Sequence, residues 1–226
     1  MRKMAKGAAI PGGVFAVLFF LFSILSIVSM FVVSANLAIY TVLTNLINMV
    51  TVLVLGIALF RGKADAFAAI VCLLNIPLNL WIGINNIRNI SNYLDLGRDK
   101  AAFASGLNSA AAWVEIAVLI LMVIQCFRKN GGKDTLCAVL GPVSAVLSVV
   151  AALGMVNVTN ALLFEQESLN AIAILTVTAV TSGMMALLKK LPLALGALAI
   201  GLSKDVQPAA PYGQYGYQVP QQQNWQ

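Results

Sequence analysis

The chain has 226 residues, 60% of them hydrophobic and only 10% charged, with a formal net charge of +6. A water-soluble domain carries about 25% charged residues, so the composition excludes a soluble fold and predicts an all-α, polytopic membrane helix bundle. The basic residues sit in short turns between apolar runs and form no continuous patch, which argues against nucleic acid as a partner and leaves the lipid bilayer as the medium.

Arg2, Lys3 and Lys6 precede an uncharged first span, 14–33. Val33-Ser34-Ala35 puts small residues where a signal peptidase cuts, but the apolar run exceeds the about 7 to 15 residues of a signal core, so this segment is expected to be retained as a helix. The second and third spans, 37–60 and 66–87, form a hairpin around the basic turn Arg61-Gly62-Lys63-Ala64-Asp65. Neither arm is charged, and roughly 20 residues at about 1.5 Å each cross a hydrocarbon core of about 30 Å. Between Arg88 and Ser109 lie Arg88, Asp95, Arg98, Asp99 and Lys100, with Gly97 and Gly106 as breakers. This stretch predicts an outer loop containing a short helix.

A fourth span, 110–127, stops at Arg128-Lys129-Asn130-Gly131-Gly132-Lys133. The fifth, 136–156, contains Pro142, which neighbouring helices tolerate by satisfying the freed carbonyl. An outer loop, 157–170, carries Glu165 and Glu167, and the sixth span, 171–188, ends at Lys189-Lys190. The apolar segment 191–202 would reach only about 18 Å as a helix, too short to cross. It predicts a short re-entrant or inner-face helix opened by Pro192. Residues 1–204 thus form a six-span domain, and 205–226, rich in Pro, Gln, Gly and Tyr, a disordered tail, read as a solvating segment with a tyrosine-bearing docking segment for a protein partner as the alternative.

With six spans every inner turn is basic, and only Arg88, Arg98 and Lys100 fall outside. The positive-inside rule then puts both termini in the cytoplasm, in a plasma membrane or bacterial inner membrane. Tyr40, Tyr93 and Trp113 are expected to mark the outer boundary.

Catalytic chemistry finds little support. There is no histidine, which removes histidine triads and His-ligated zinc. Cys72, Cys126 and Cys137 have no Cys-x-x-Cys spacing and read as small buried thiols, with acylation beside a basic turn as the alternative for Cys126 and Cys137. Gly131-Gly132-Lys133-Asp134 lacks the spaced first glycine of a phosphate loop. No enzyme activity, cofactor or metal is expected.

Polarity inside the spans is what remains. Thr41, Thr44, Asn45, Asn48 and Thr51 recur along one face of the second span, and Asn75, Asn79 and Asn86 share a face with Gly83 in the third. An unpaired amide in hydrocarbon costs about 2–7 kcal/mol, so these amides must face protein, water or ligand. Interhelical hydrogen bonding is one role; Gly141, Ala145, Ser148 and Ala152 on the fifth span, with Ser23 and Ser26 on the first, would permit close packing in the same way. Glu115 is the single ionisable residue within any predicted span, several residues in from its outer end. Three placements are open: the outer interface on a helix extended from Asp99, a pair with Arg88 or Arg98, or the asparagine cluster. The candidate intramembrane polar site is therefore Asn45, Asn48, Asn75, Asn79 and Glu115. The leading functional expectation is a membrane accessory or scaffold component. The alternative is a small transporter or substrate-binding component whose site takes a neutral or cationic solute.

Overall fold

The computed structural model describes residues 2–33, 39–128, 133–163 and 169–205, and the side chains of 2–28, 42–43, 45–128, 133–154 and 183–204. Among them are six helices: α1 (Lys6–Val33), α2 (Ile39–Arg61), α3 (Ala66–Asp95), α4 (Asp99–Phe127), α5 (Thr135–Leu163) and α6 (Leu169–Gly201). Five segments are long and apolar enough to span a membrane: Lys6–Val28, Ala66–Asp95, Asp99–Phe127, Thr135–Gly154 and Gly183–Gly201. The described side chains of α2 give the shorter apolar helix Asn45–Arg61. Large apolar side chains such as Leu25, Leu74 and Val146 are well exposed. A water-facing surface seldom shows so many together, whereas a lipid-facing one does.

Local chemistry sets the ends of these helices. Gly62 adopts φ +61 in the turn after α2, a left-handed conformation that suits glycine. Asp65 then caps α3 by accepting from the Ala68 N–H at 3.2 Å and pairs with Arg61 at 2.9 Å, while the Arg61 guanidinium lies 4.4 Å from the Phe67 ring centroid. Asp134 likewise accepts from the Cys137 N–H at 3.1 Å at the start of α5.

Three two-residue strands, β1 (Arg2–Lys3), β2 (Lys63–Ala64) and β3 (Lys204–Asp205), form an antiparallel sheet in the order β2-β1-β3. The sequence carries no periodic signal for pieces this short. Arg2 is buried at its centre and donates to the backbone oxygens of Gln125, at 2.8 Å, and Ser203, at 3.3 Å. With Asp134 N–H donating to Gly201 O at 2.8 Å, one end of the bundle gathers the residues before α1, the α2–α3 turn, the start of α5 and the chain after α6. Asp205, expected to begin the tail, belongs to this sheet; the tail from Val206 onward lies outside the described residues, as do the predicted loop residues Glu165 and Glu167.

Sequence neighbours pack as antiparallel pairs, α1 with α2, α3 with α4 and α5 with α6, and α6 also touches α1, α2 and α4. That position makes α6 the axis of the bundle. The main apolar core joins Leu55 and Leu59 of α2, Val71 and Cys72 of α3, Val118, Leu119 and Met122 of α4, Cys137 of α5 and Ala197 and Ile200 of α6. It lies toward the sheet end and closes that half of the bundle. The three cysteines are free thiols, Cys72 and Cys137 fully buried.

Two boundaries differ from those predicted. First, the stretch 88–109 is not a loop: α3 runs on to Asp95 and α4 begins at Asp99. Exposed Arg, Asp and Asn do not stop a helix that is hydrogen-bonded internally, and Gly106 lies within α4; only Gly97, at φ +66, breaks the chain. At about 45 Å for α3, this hairpin is longer than a hydrocarbon core of about 30 Å. Tyr93 and Trp113 consequently stand about 18 Å apart in height and do not mark one boundary. Second, 191–202 is not a separate re-entrant or inner-face helix but the continuation of α6 through Pro192, which is buried among neighbouring helices that relieve its missing N–H.

The glycine turn gives a simple test. Gly97→Ala meets no neighbouring atom within 4 Å, so its cost is backbone strain alone, about 1–2 kcal/mol. Thermal unfolding in detergent checks this value; an unchanged midpoint would contradict the left-handed turn.

Candidate functional site

Five helices, α2 to α6, contribute polar side chains to one depth of the bundle. At about 1.5 Å per residue, Lys190 stands about 17 Å from the Gly201 end of α6, Glu115 about 18 Å from the Phe127 end of α4 and Ser148 about 20 Å from the Thr135 end of α5. Asn48 and Asn79 are each about 20 Å from the basic ends of α2 and α3. These heights match because the helices share a common end, fixed by the sheet.

Glu115 is 2% exposed. Its Oε1 accepts from Lys190 Nζ at 2.5 Å and from Ser148 Oγ at 3.1 Å. Both bonds end on Oε1, which leaves Oε2 to the small cavity that Glu115 lines with Asn48, Thr51, Asn75, Asn79, Lys189 and Lys190. This space of about 30 Å³ has room for one or two waters, each needing about 10–15 Å³. A larger cavity, about 190 Å³, lies between α1, α2 and α6 and is lined by Phe19, Ser23, Ser26, Asn45, Asn48, Met185, Ala186 and Lys189. Asn48 and Lys189 border both spaces.

The chain matches no protein-family model, no curated protein and no solved structure. Its chemistry must therefore be read from these side chains.

The asparagines of α3 do not clasp those of α2. Asn75 Nδ2 donates to Val71 O at 2.8 Å and Asn79 Nδ2 to Asn75 O at 3.2 Å, and Asn86 Nδ2 donates to Ile82 O at 2.8 Å. Their donors are satisfied inside the helix, so the amide oxygens are the groups left for the cavity. Thr51 Oγ1 similarly donates to Ile47 O at 2.9 Å and Asn48 O at 3.0 Å. The side chains of Thr41 and Thr44 lie outside those described.

Of the predicted site residues, Asn48, Asn75, Asn79 and Glu115 line one cavity, and Asn45 joins the adjoining one. Glu115 pairs with neither Arg88 nor Arg98. The helix does extend from Asp99, but the extension puts Glu115 deep in the bundle rather than near its outer edge. Lys189 and Lys190, predicted to anchor the inner end of the sixth span, are instead interior; α6 passes through the middle of the bundle and carries them to the level of Glu115. The signal for them was the apolar run on both sides of the pair, 171–188 and 191–202, which together make one helix. Ser148, assigned only to close packing, is also a hydrogen-bond donor to the acid.

Close packing accounts for other polar contacts. Ser109 Oγ donates to Gly83 O at 3.1 Å, and Ser105 Oγ reaches Asn86 O and Oδ1 at 3.3 Å. Gly141 lets α5 and α6 approach so nearly that a Cβ there would lie 2.6 Å from that of Ala197. A buried ion pair adds stability only weakly, because desolvation costs several kcal/mol per ion. Helices already held by small residues have little need of one. Among the described residues no group of three or more His, Cys, Asp or Glu is placed to hold a metal.

Proposed function

We propose that this chain is a multi-pass integral membrane protein, with six spans and both termini in the cytoplasm, that binds a small polar solute at mid-bilayer depth and performs no covalent catalysis. The observation that carries this reading is the Glu115–Lys190 pair set against cavities bordered by Lys189 and Asn48. Ionisable groups at membrane depth are costly and typically mark a solute or ion path. The positive-inside rule supports the orientation: Lys3, Lys63 and Lys204 belong to the sheet at one end, and Arg61 adjoins it. A plasma membrane or bacterial inner membrane suits that arrangement.

A second reading, a scaffold that presents the tail from Val206 to a protein partner, draws on β3, which delivers the chain to the basic end. The two part experimentally over water. In a background with Cys72, Cys126 and Cys137 replaced by alanine, Asn48→Cys is expected to react with a charged methanethiosulfonate reagent in native membranes. An unreactive Asn48→Cys beside a reactive Lys63→Cys control in opened vesicles would refute the solute site and favour the scaffold.

A further inference from the structure

We propose that the cavity between α1, α2 and α6 is the site of a small organic monoanion, a short-chain carboxylate whose head sits on Lys189. This names the solute class and rests on the solute-binding reading above. Three ionisable groups line the adjoining small cavity: Glu115, Lys190 and Lys189. Glu115 and Lys190 satisfy each other through a direct ion pair, which leaves Lys189 as the basic group here with no direct counter-charge. Its side-chain nitrogen has no hydrogen bond or ion pair with any described residue, yet it borders the larger cavity, whose described lining residues include no acidic side chain. A cation therefore finds nothing to balance it there, and an anion does.

The remaining lining refines the class. Asn45 and Asn48 bring amides and Ser23 and Ser26 bring hydroxyls, so the wall beside Lys189 is polar and uncharged. Phe19 and Met185 give the cavity an apolar wall suited to a short hydrocarbon body. Its volume of about 190 Å³ falls below the about 300 Å³ at which drug-sized pockets begin, which sets the size of the ligand. Phe19 packs with Ala16 and Val52, and Met185 and Leu188 pack against them, which makes that side of the cavity apolar.

The test uses the full chain in phosphatidylcholine nanodiscs, titrated calorimetrically with sodium butyrate and, separately, tetramethylammonium chloride. Saturable butyrate binding is expected, weakened at least about tenfold by Lys189→Gln, the loss of one hydrogen bond to a charged group, and unchanged by Lys3→Gln. Butyrate should also slow modification of Asn48→Cys. Equal affinity in folded Lys189→Gln, or binding of tetramethylammonium but not butyrate, would overturn the proposal. If Asn48→Cys is labelled but butyrate neither binds nor protects, the anion class fails and the solute site stands; if it is never labelled, both fail. Protection that appears on adding phosphatidylglycerol, without butyrate, would assign the site to a lipid head and overturn the free carboxylate.

Discussion

Truncating Glu115 to alanine is expected to destabilise the bundle by about 3–5 kcal/mol, the usual cost of removing one member of a buried pair. The loss comes less from the missing attraction than from what stays behind. Lys190 keeps its ammonium at mid-depth with no counter-charge at hydrogen-bonding distance, and Ser148 loses its acceptor. Replacing both charges, as Glu115→Met with Lys190→Met, removes the orphaned ion as well and is expected to be near neutral or stabilising. Unfolding in mixed micelles, followed by circular dichroism, measures each variant. A loss below about 1 kcal/mol for Glu115→Ala would match an exposed ion pair and contradict the buried one described.

Gly141→Val is expected to separate α5 from α6 and cost at least about 1–3 kcal/mol, the range for overpacked cores. A Cβ at this position lies 2.6 Å from Ala197 Cβ, 3.1 Å from Ala194 O and 3.4 Å from Ala194 Cα. Two of those atoms are backbone, so no side-chain rotation relieves the clash and the helices must part. Ser148 and Lys190 lie on these same two helices, and their joint hold on Glu115 should loosen with them. Gly7→Ala supplies the contrast, since nothing lies within 4 Å of its Cβ; helix propensity predicts no loss and a gain of up to about 1 kcal/mol. Equal stability of Gly141→Val and wild type would show that the close crossing of α5 and α6 is wrong.

Long apolar runs made the helical membrane class legible, because both lipid and hydrogen-bonding constraints act on every residue of a span. The asparagines at positions 45, 48, 75 and 79 were legible for the same reason: an amide has few tolerable places in hydrocarbon. What the sequence concealed was depth. Lys189-Lys190 looks like any basic turn as a string, and only the packing of α6 among α1, α2, α4 and α5 places that pair in the interior. Polar composition from Arg88 to Ser109 concealed two helical arms, since a helix that protrudes into water needs no apolar signature. The sheet was hidden by its size, and Arg2, apparently a topology charge, is the buried residue on which three parts of the chain converge.

The interior pairing of Glu115 with Lys190 is the centre of this account, and a charge-exchange cycle tests it most directly. Glu115→Lys, Lys190→Glu and the double exchange are to be compared by unfolding in mixed micelles. Each single change places like charges together at mid-depth and should lower stability strongly, while the double exchange restores opposite charges and should recover most of that loss. A double variant whose loss equals the sum of the two single losses would mean that the residues do not meet.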